Sequence, residues 1–234
     1  MAKILFVMTG ADHWTLADGH RHPTGFWGEE FAAPYQALTG AGYEVVVATP
    51  GGVVPTVDRA SLTPDRNGGQ QGADAVVALL DETEALHRPI NLADVDPADY
   101  VAVFYPGGHG PMEDLSGDAD SARVITETLT SGRPLALVCH GVAALLATGT
   151  PDGGSPLRGY RVTGFTRIEE TQAGLADRAR WVLQDRLVAL GVQFSEGAAW
   201  APYVVVDRNL ITGQNPASSA RLAATLLERL GRAD

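Results

Sequence analysis

The chain reads as an α/β protein, a doubly wound and mostly parallel sheet with helices on both faces. Three observations predict this. Strand-like apolar runs alternate with helix-like runs along the whole length, which calls for parallel pairing through helical crossovers. The strand runs are apolar at nearly every position, the pattern of strands buried on both faces. Most of them end in glycine or proline, at the junctions where such sheets bind ligands.

Lys3–Met8 is the first strand, ended by Thr9-Gly10. A polar loop runs through Pro23. Phe31–Ala41 has helical spacing with Gly42 as its stop, and Pro34 suits a first turn, so the helix is expected to begin near Phe31. Glu44–Ala48 is a second strand closed by Pro50-Gly51-Gly52, which completes a βαβ unit. The pattern weakens from Val53 to Ala98, with Arg66–Gly72 read as loop and Ala75–Leu86 as helix. Tyr100–Tyr105 is a buried strand that runs into Pro106-Gly-Gly-His-Gly-Pro111. Ala119–Ser131 is helical and Pro134–Val138 is another strand. Arg161–Phe165 is a short strand and Thr171–Leu190 an amphipathic helix stopped by Gly191. Ala201–Val206 and Leu210–Thr212 pair as a hairpin around Asp207-Arg-Asn209, and Pro216 opens a terminal helix. No linker rich in proline, serine or charge interrupts the 234 residues, so residues 1–234 are expected to form a single domain.

Composition bounds the function. The net charge of −11 opposes a nucleic-acid partner, which would need a basic face. The lone cysteine cannot form an internal disulfide, and a reducing cytoplasm fits it. No apolar run approaches the ~20 residues of a membrane span. GxGxxG and Walker loops are absent, so no nucleotide cofactor is expected. His20-Arg-His22 invites a metal reading, but HExxH and a Cys/His cluster are lacking, and no metal is expected either.

The most informative residue is Cys139, where Leu135-Ala-Leu-Val138 gives way to Cys-His-Gly and then an Ala/Leu run that reads as helix. A side chain at such a turn projects at the carboxyl end of the sheet, and the N–H groups that open the helix face it. Those donors favour the reactive thiolate, so a depressed thiol pKa is expected. This is the cysteine counterpart of a serine nucleophile elbow. A small buried core residue is the plain alternative. His140 adjoins it and can shuttle protons. An orienting acceptor is then needed, and Glu169-Glu170 follows a strand end, although an acidic pair opening a helix is ordinarily dipole complementation. The same holds for Glu29-Glu30, unless one carboxyl lies near the thiol and is held protonated. Gly107-Gly108 offers close backbone approach and N–H groups, the material of an oxyanion hole.

Together these segments resemble the PfpI superfamily, relatives of the Parkinson-disease-associated protein deglycase with a class I glutamine amidotransferase-like, flavodoxin-like fold. They are most similar to its glutathione-independent glyoxalase (glyoxalase III) and stress-chaperone branch. The resemblance rests on Thr24–Tyr35, Ala48–Gly52, Tyr105–Pro111, Val138–Gly141, Val162–Thr171 and Leu210–Ser219. It places the first-helix role on Glu30, four residues before Pro34, and the third triad role on Glu170. The branch usually has proline where Val142 stands, and the Gly19–Pro23 loop is longer and more basic than usual. The resemblance implies a cytoplasmic, cofactor-independent homodimer that turns small reactive aldehydes, methylglyoxal and glyoxal, into 2-hydroxy acids. It implies a Cys139 hemithioacetal, His140 or Glu30 as base, Gly107 and Gly108 at the substrate oxygen, and Glu170 orienting His140. A deglycase, a cysteine peptidase or amidase, a tailoring enzyme for a specialised metabolite and a holdase chaperone are the alternative readings.

Overall fold

A computed structural model describes residues 1–150 and 153–231. In chain order the elements are β1 (Lys3–Val7), β2 (His13–Thr15), β3 (Arg21–Pro23), α1 (Gly28–Gly40), β4 (Glu44–Thr49), α2 (Gln70–Glu82), α3 (Glu84–His87) and β5 (Ile90–Asn91). There follow β6 (Ala102–Tyr105), α4 (Gly110–Glu113), α5 (Ala119–Thr130), β7 (Leu135–Val138), a 3-10 helix (Cys139–Thr148), β8 (Arg161–Val162) and α6 (Arg167–Gln172). The chain closes with α7 (Leu183–Leu190), β9 (Gln193–Phe194), β10 (Val204–Asp207), β11 (Leu210–Gly213) and α8 (Ser219–Leu230).

The central sheet has the order β10-β11-β7-β6-β1-β4-β5 and is parallel except for the antiparallel β10 at its edge. From β1 the chain winds outward through β4 to β5, then returns to the other side of β1 and winds through β6 and β7. The order therefore reverses between β1 and β6, the position at which doubly wound sheets hold their ligands. The fully apolar strands are explained by this arrangement: β6 and β7 are buried throughout, with α1, α2 and α8 packed together in one layer and α4, α5, α7 and the 3-10 helix in another.

Several elements differ from expectation for identifiable reasons. Helix α1 begins at Gly28, so Pro34 lies in its second turn rather than its first. Proline has no N–H, so the Glu30 carbonyl, four residues back, loses its helical donor. The Ala/Leu run after Cys139 winds as a 3-10 helix. Side chains three residues apart eclipse in that helix, and Gly141, Ala144 and Ala147 form a row small enough to permit it. Of the long helix expected over Thr171–Leu190, only the end of α6 and the whole of α7 are helical; Gly174, left-handed at φ 78°, ends α6, and residues 173–182 are non-helical. The polar loop before Pro23 contains the small hairpin β2–β3, Gly72 lies within α2, and β8 pairs with β9 outside the main sheet.

Candidate active site

Cys139 is held at φ 57°, a left-handed conformation that is strained for a residue with a β-carbon. Gly141 makes the elbow possible, since a β-carbon there would lie 2.6 Å from the carbonyl oxygens of both Tyr105 and Pro106. The thiol sits 3.4 Å from His140 Nδ1. His140 Nε2 in turn contacts Glu170 Oε2 at 2.6 Å, and Glu170 Oε1 contacts Nε2 of a second histidine, His109, at 2.9 Å. All four side chains are buried or nearly so.

Helix α1 delivers Glu30 from the other side, fully buried, with Oε2 accepting from Gly107 N–H at 2.7 Å. Oε1 lacks a well-directed hydrogen bond, although the Cys139 thiol lies within interaction range of the carboxyl. Gly107 thus differs from its expected role. Its N–H is taken by Glu30 and is not free for a substrate oxygen, and a β-carbon there would stand 2.7 Å from Glu30 Oε2. The N–H groups of Gly108 and His140 face the sulfur instead. Gly108 turns at φ 89°, against backbone of Gly25 and Trp27 that leaves no room for a β-carbon. Glu29 points elsewhere, half-buried beside an adjoining cleft.

Burial sets the protonation states. It raises the Glu30 carboxyl to about 8. The thiol is also pushed up, by burial first and then by the Glu30 charge, while the backbone N–H groups of His140 and Gly108 pull it down by less. The expected depressed thiol is thereby corrected: the N–H groups that open the helix are present, but desolvation outweighs them. Two acids buried this close share protons, and the pair carries at most one negative charge at neutral pH. Glu170 is held well below the usual carboxylate range by His140 and His109 despite its burial, and His140 is held down to about 4 by burial and by His109. An ionised Glu170 fixes the tautomers. Both Nε2 atoms donate to it, which leaves His140 Nδ1 as an acceptor facing sulfur.

Sequence reasoning passed over His109 and took Glu169 only as half of an acidic pair opening a helix. His109 lay in view within Pro-Gly-Gly-His-Gly, and Trp14 of β2 stacks on it at 5.0 Å. Glu169 closes a capping box with Thr166, a Thr-x-x-Glu signature readable in the sequence. Its Oε1 also accepts from Trp200 N–H at 2.8 Å, Gln214 Nε2 at 3.0 Å and Asn215 Nδ2 at 2.8 Å. In the basic loop, His13 and Arg21 pair with Asp12, and His22 alone reaches the cavity. Among the described residues, His109, His140 and Glu170 form the group compact enough to hold a metal, with donor atoms within 4.8 Å of one another. A cation there would displace both Nε2 protons.

A buried elbow cysteine is backed by a histidine–carboxylate pair, with a second carboxyl against the sulfur, on a doubly wound α/β fold. The chain belongs to the DJ-1/PfpI family, whose profile matches residues 23–229, and it fits that family's glyoxalase III branch. It is 28% identical over 235 residues to Glyoxalase 3 of Candida albicans, covering 97% of this chain and 98% of that one. It is 29% identical over 232 residues to the protein/nucleic acid deglycase HchA of Staphylococcus aureus, covering 94% of this chain and 77% of the relative. The solved structure of glyoxalase III from Candida albicans superposes with a TM-score of 0.84 at 26% identity, covering 97% of each chain. That of a rapid encystment protein from Francisella tularensis superposes at 0.86 and 27%, covering 99% of this chain and 100% of the other. Among the described residues no helix is long and apolar enough to cross a membrane.

Proposed function

We propose that this protein is a cofactor-independent glyoxalase that converts 2-oxoaldehydes such as methylglyoxal and glyoxal into 2-hydroxy acids. The observation that carries the reading is the pairing of Glu30 with Cys139 opposite the His140–Glu170 pair, with Cys139 and His140 lining a cavity of about 380 Å³. The sulfur adds to the aldehyde carbon, and its proton goes to Glu30. Glu30 accepts it in the fraction of molecules whose carboxyl is ionised, a fraction that grows as the pH rises through about 8. Once ionised, it holds a proton more firmly than His140, which keeps one only to about 4. The N–H groups of Gly108 and His140 face the new oxyanion. Glu30 passes the thiol proton to that oxygen and takes the proton from the aldehyde carbon. The hydroxyl proton moves across the resulting enediol to the former ketone oxygen, and Glu30 returns the carbon proton to the neighbouring carbon, which leaves a 2-hydroxy thioester. The aldehyde carbon is oxidised and the ketone carbon reduced within one molecule, so no external redox partner enters. Water then cleaves the thioester and restores the thiol, and the net reaction consumes one water.

The test is lactate production from methylglyoxal without glutathione or added metal. Wild type is expected to form lactate at a steady rate, and Cys139→Ala to fall to the uncatalysed background. A Cys139→Ala variant that keeps its rate would end this reading. If wild type forms no lactate yet suppresses aggregation of an unfolding client, and Cys139→Ala does so equally, the holdase alternative takes its place.

A further inference from the structure

The cavity above Cys139 is larger than the reaction requires. Its volume of about 380 Å³ falls in the range of about 300–1,000 Å³ that holds drug-sized ligands, and a three-carbon dicarbonyl fills only a small part of it. Its walls include three aromatic rings, Trp27, Phe165 and Trp200, and two guanidinium groups, Arg66 and Arg178, reach its lining. Arg66 Cζ stands 5.9 Å from the Trp27 ring and 5.7 Å from the Trp200 ring, within cation–π range of both indoles.

Two features mark this outer region as built. Trp200 is held in a left-handed conformation at φ 63°, which a bulky residue seldom adopts, and its N–H is fastened to the buried Glu169 carboxylate. Its ring meets Phe165 edge-on at 5.5 Å. The second feature is charge. In a chain of net charge −11, both Arg66 and Arg178 are exposed and make no side-chain hydrogen bond or ion pair among the described residues. The acidic neighbours form no ion pair with them. Asp58 lines the same cavity, but Thr24 Oγ1 and Ala60 N–H occupy its two oxygens, at 2.7 Å and 2.9 Å. Glu29 and Asp65 line the adjoining cleft without pairing with Arg66.

We propose that Arg66 and Arg178 form an anion subsite at the mouth of the Cys139 cavity, and that the preferred substrates are 2-oxoaldehydes carrying an oxyanion at their far end. The inference rests on the glyoxalase reading for its chemistry, which acts at the aldehyde end as described, and on the cavity alone for its charge preference. A guanidinium without an anionic protein partner is matched to a carboxylate or a phosphate ester, and the Trp27 and Trp200 rings near Arg66 help to position it. The aromatic walls accept the intervening carbon chain.

Two measurements test this separately. The first compares kcat/KM for 4,5-dioxopentanoate, a 2-oxoaldehyde with a distal carboxylate, with that for methylglyoxal. Wild type is expected to favour the anionic substrate, and the double variant Arg66→Ala/Arg178→Ala to shrink that preference by ~10–100-fold, the range for hydrogen bonds to charged groups. An anionic substrate that is not preferred, or a preference that survives the double variant, overturns the subsite. The second needs no turnover. The rate of Cys139 alkylation by anionic iodoacetate, relative to neutral iodoacetamide, is expected to fall at least several-fold in the double variant and at high salt. Glutarate and glycerol 3-phosphate as protecting ligands distinguish carboxylate from phosphate recognition. If neither aldehyde is turned over while the alkylation ratio still depends on the two arginines, the glyoxalase reading fails and the anion subsite stands. An alkylation ratio unaffected by both substitutions removes the subsite whatever the turnover.

Discussion

At the reacting centre the two carboxylates nearest the chemistry are set to opposite tasks by their surroundings. Glu30 has one backbone donor and a thiol for company, so burial governs and the carboxyl stays protonated to about 8. Glu170 is as deeply placed but faces two imidazoles, so it stays ionised. The variants should therefore fail differently. Glu30→Gln keeps shape but cannot exchange a proton, and a loss of ~10²–10⁴-fold, mainly in kcat for methylglyoxal, is expected. The alkaline-rising limb of kcat/KM that wild type should show through about 8 should vanish with it. Glu170→Gln still presents an acceptor to one imidazole and should lose less, with its limb retained. Equal losses, or a limb that persists in Glu30→Gln, would show that Glu30 carries no proton. Cys139 and its neighbour His140 could be picked from the sequence because a lone cysteine at a strand end marks itself, whereas Glu30 and Glu170 stood out only through the resemblance and His109 did not. The balance of forces on the thiol could not be picked out in the same way. Helix position is written in the sequence, but the burial that overrides it, and the Glu30 charge that adds to it from more than a hundred positions away, are not.

The elements that hold the centre were readable in proportion to how local their causes are. The strands β1, β4, β6 and β7 announce themselves by unbroken apolar runs, and Asp118 caps α5 as its type suggests. The hairpin β2–β3 and the division between α6 and α7 depend on packing against distant segments, and they escaped the periodicity. Glu169 shows what binds those segments together. Through Thr166, Trp200, Gln214 and Asn215 it ties the start of α6 to the Trp200 loop and the loop after β11. Glu169→Ala would strand several buried donors, each worth about 1–3 kcal/mol, so a total destabilisation of about 3 kcal/mol or more is expected. For a chain of this size that corresponds to a fall in Tm of roughly 6–12 °C. The loss should appear in calorimetry with no change in the alkylation chemistry of Cys139 at low temperature. A fall of less than about 2 °C would mean that the Trp200 loop is held by its other contacts.

For the molecule as a whole, the same buried groups shape stability against pH. Glu30 is protonated in the folded chain up to about 8 but ionises in the unfolded chain near its ordinary 4.5. Between those values the unfolded state binds fewer protons, so stability falls as the pH rises from 4.5 through 8. His140 acts with the opposite sign. It stays neutral in the fold down to about 4, whereas the free imidazole protonates near 6.5, so the unfolded state gains the proton first and stability falls as the pH drops from 6.5 to 4. Glu170, held ionised by its two histidines, adds to the acid loss below its ordinary 4.5. The stability curve should therefore be a dome with its top on the mildly acidic side of neutrality. Glu30→Gln removes the alkaline slope without touching the acid one. The variant should gain on wild type by a few kcal/mol between pH 5 and pH 9, read from urea midpoints at matched ionic strength. Curves that stay parallel across that interval would mean that Glu30 is already ionised in the folded protein.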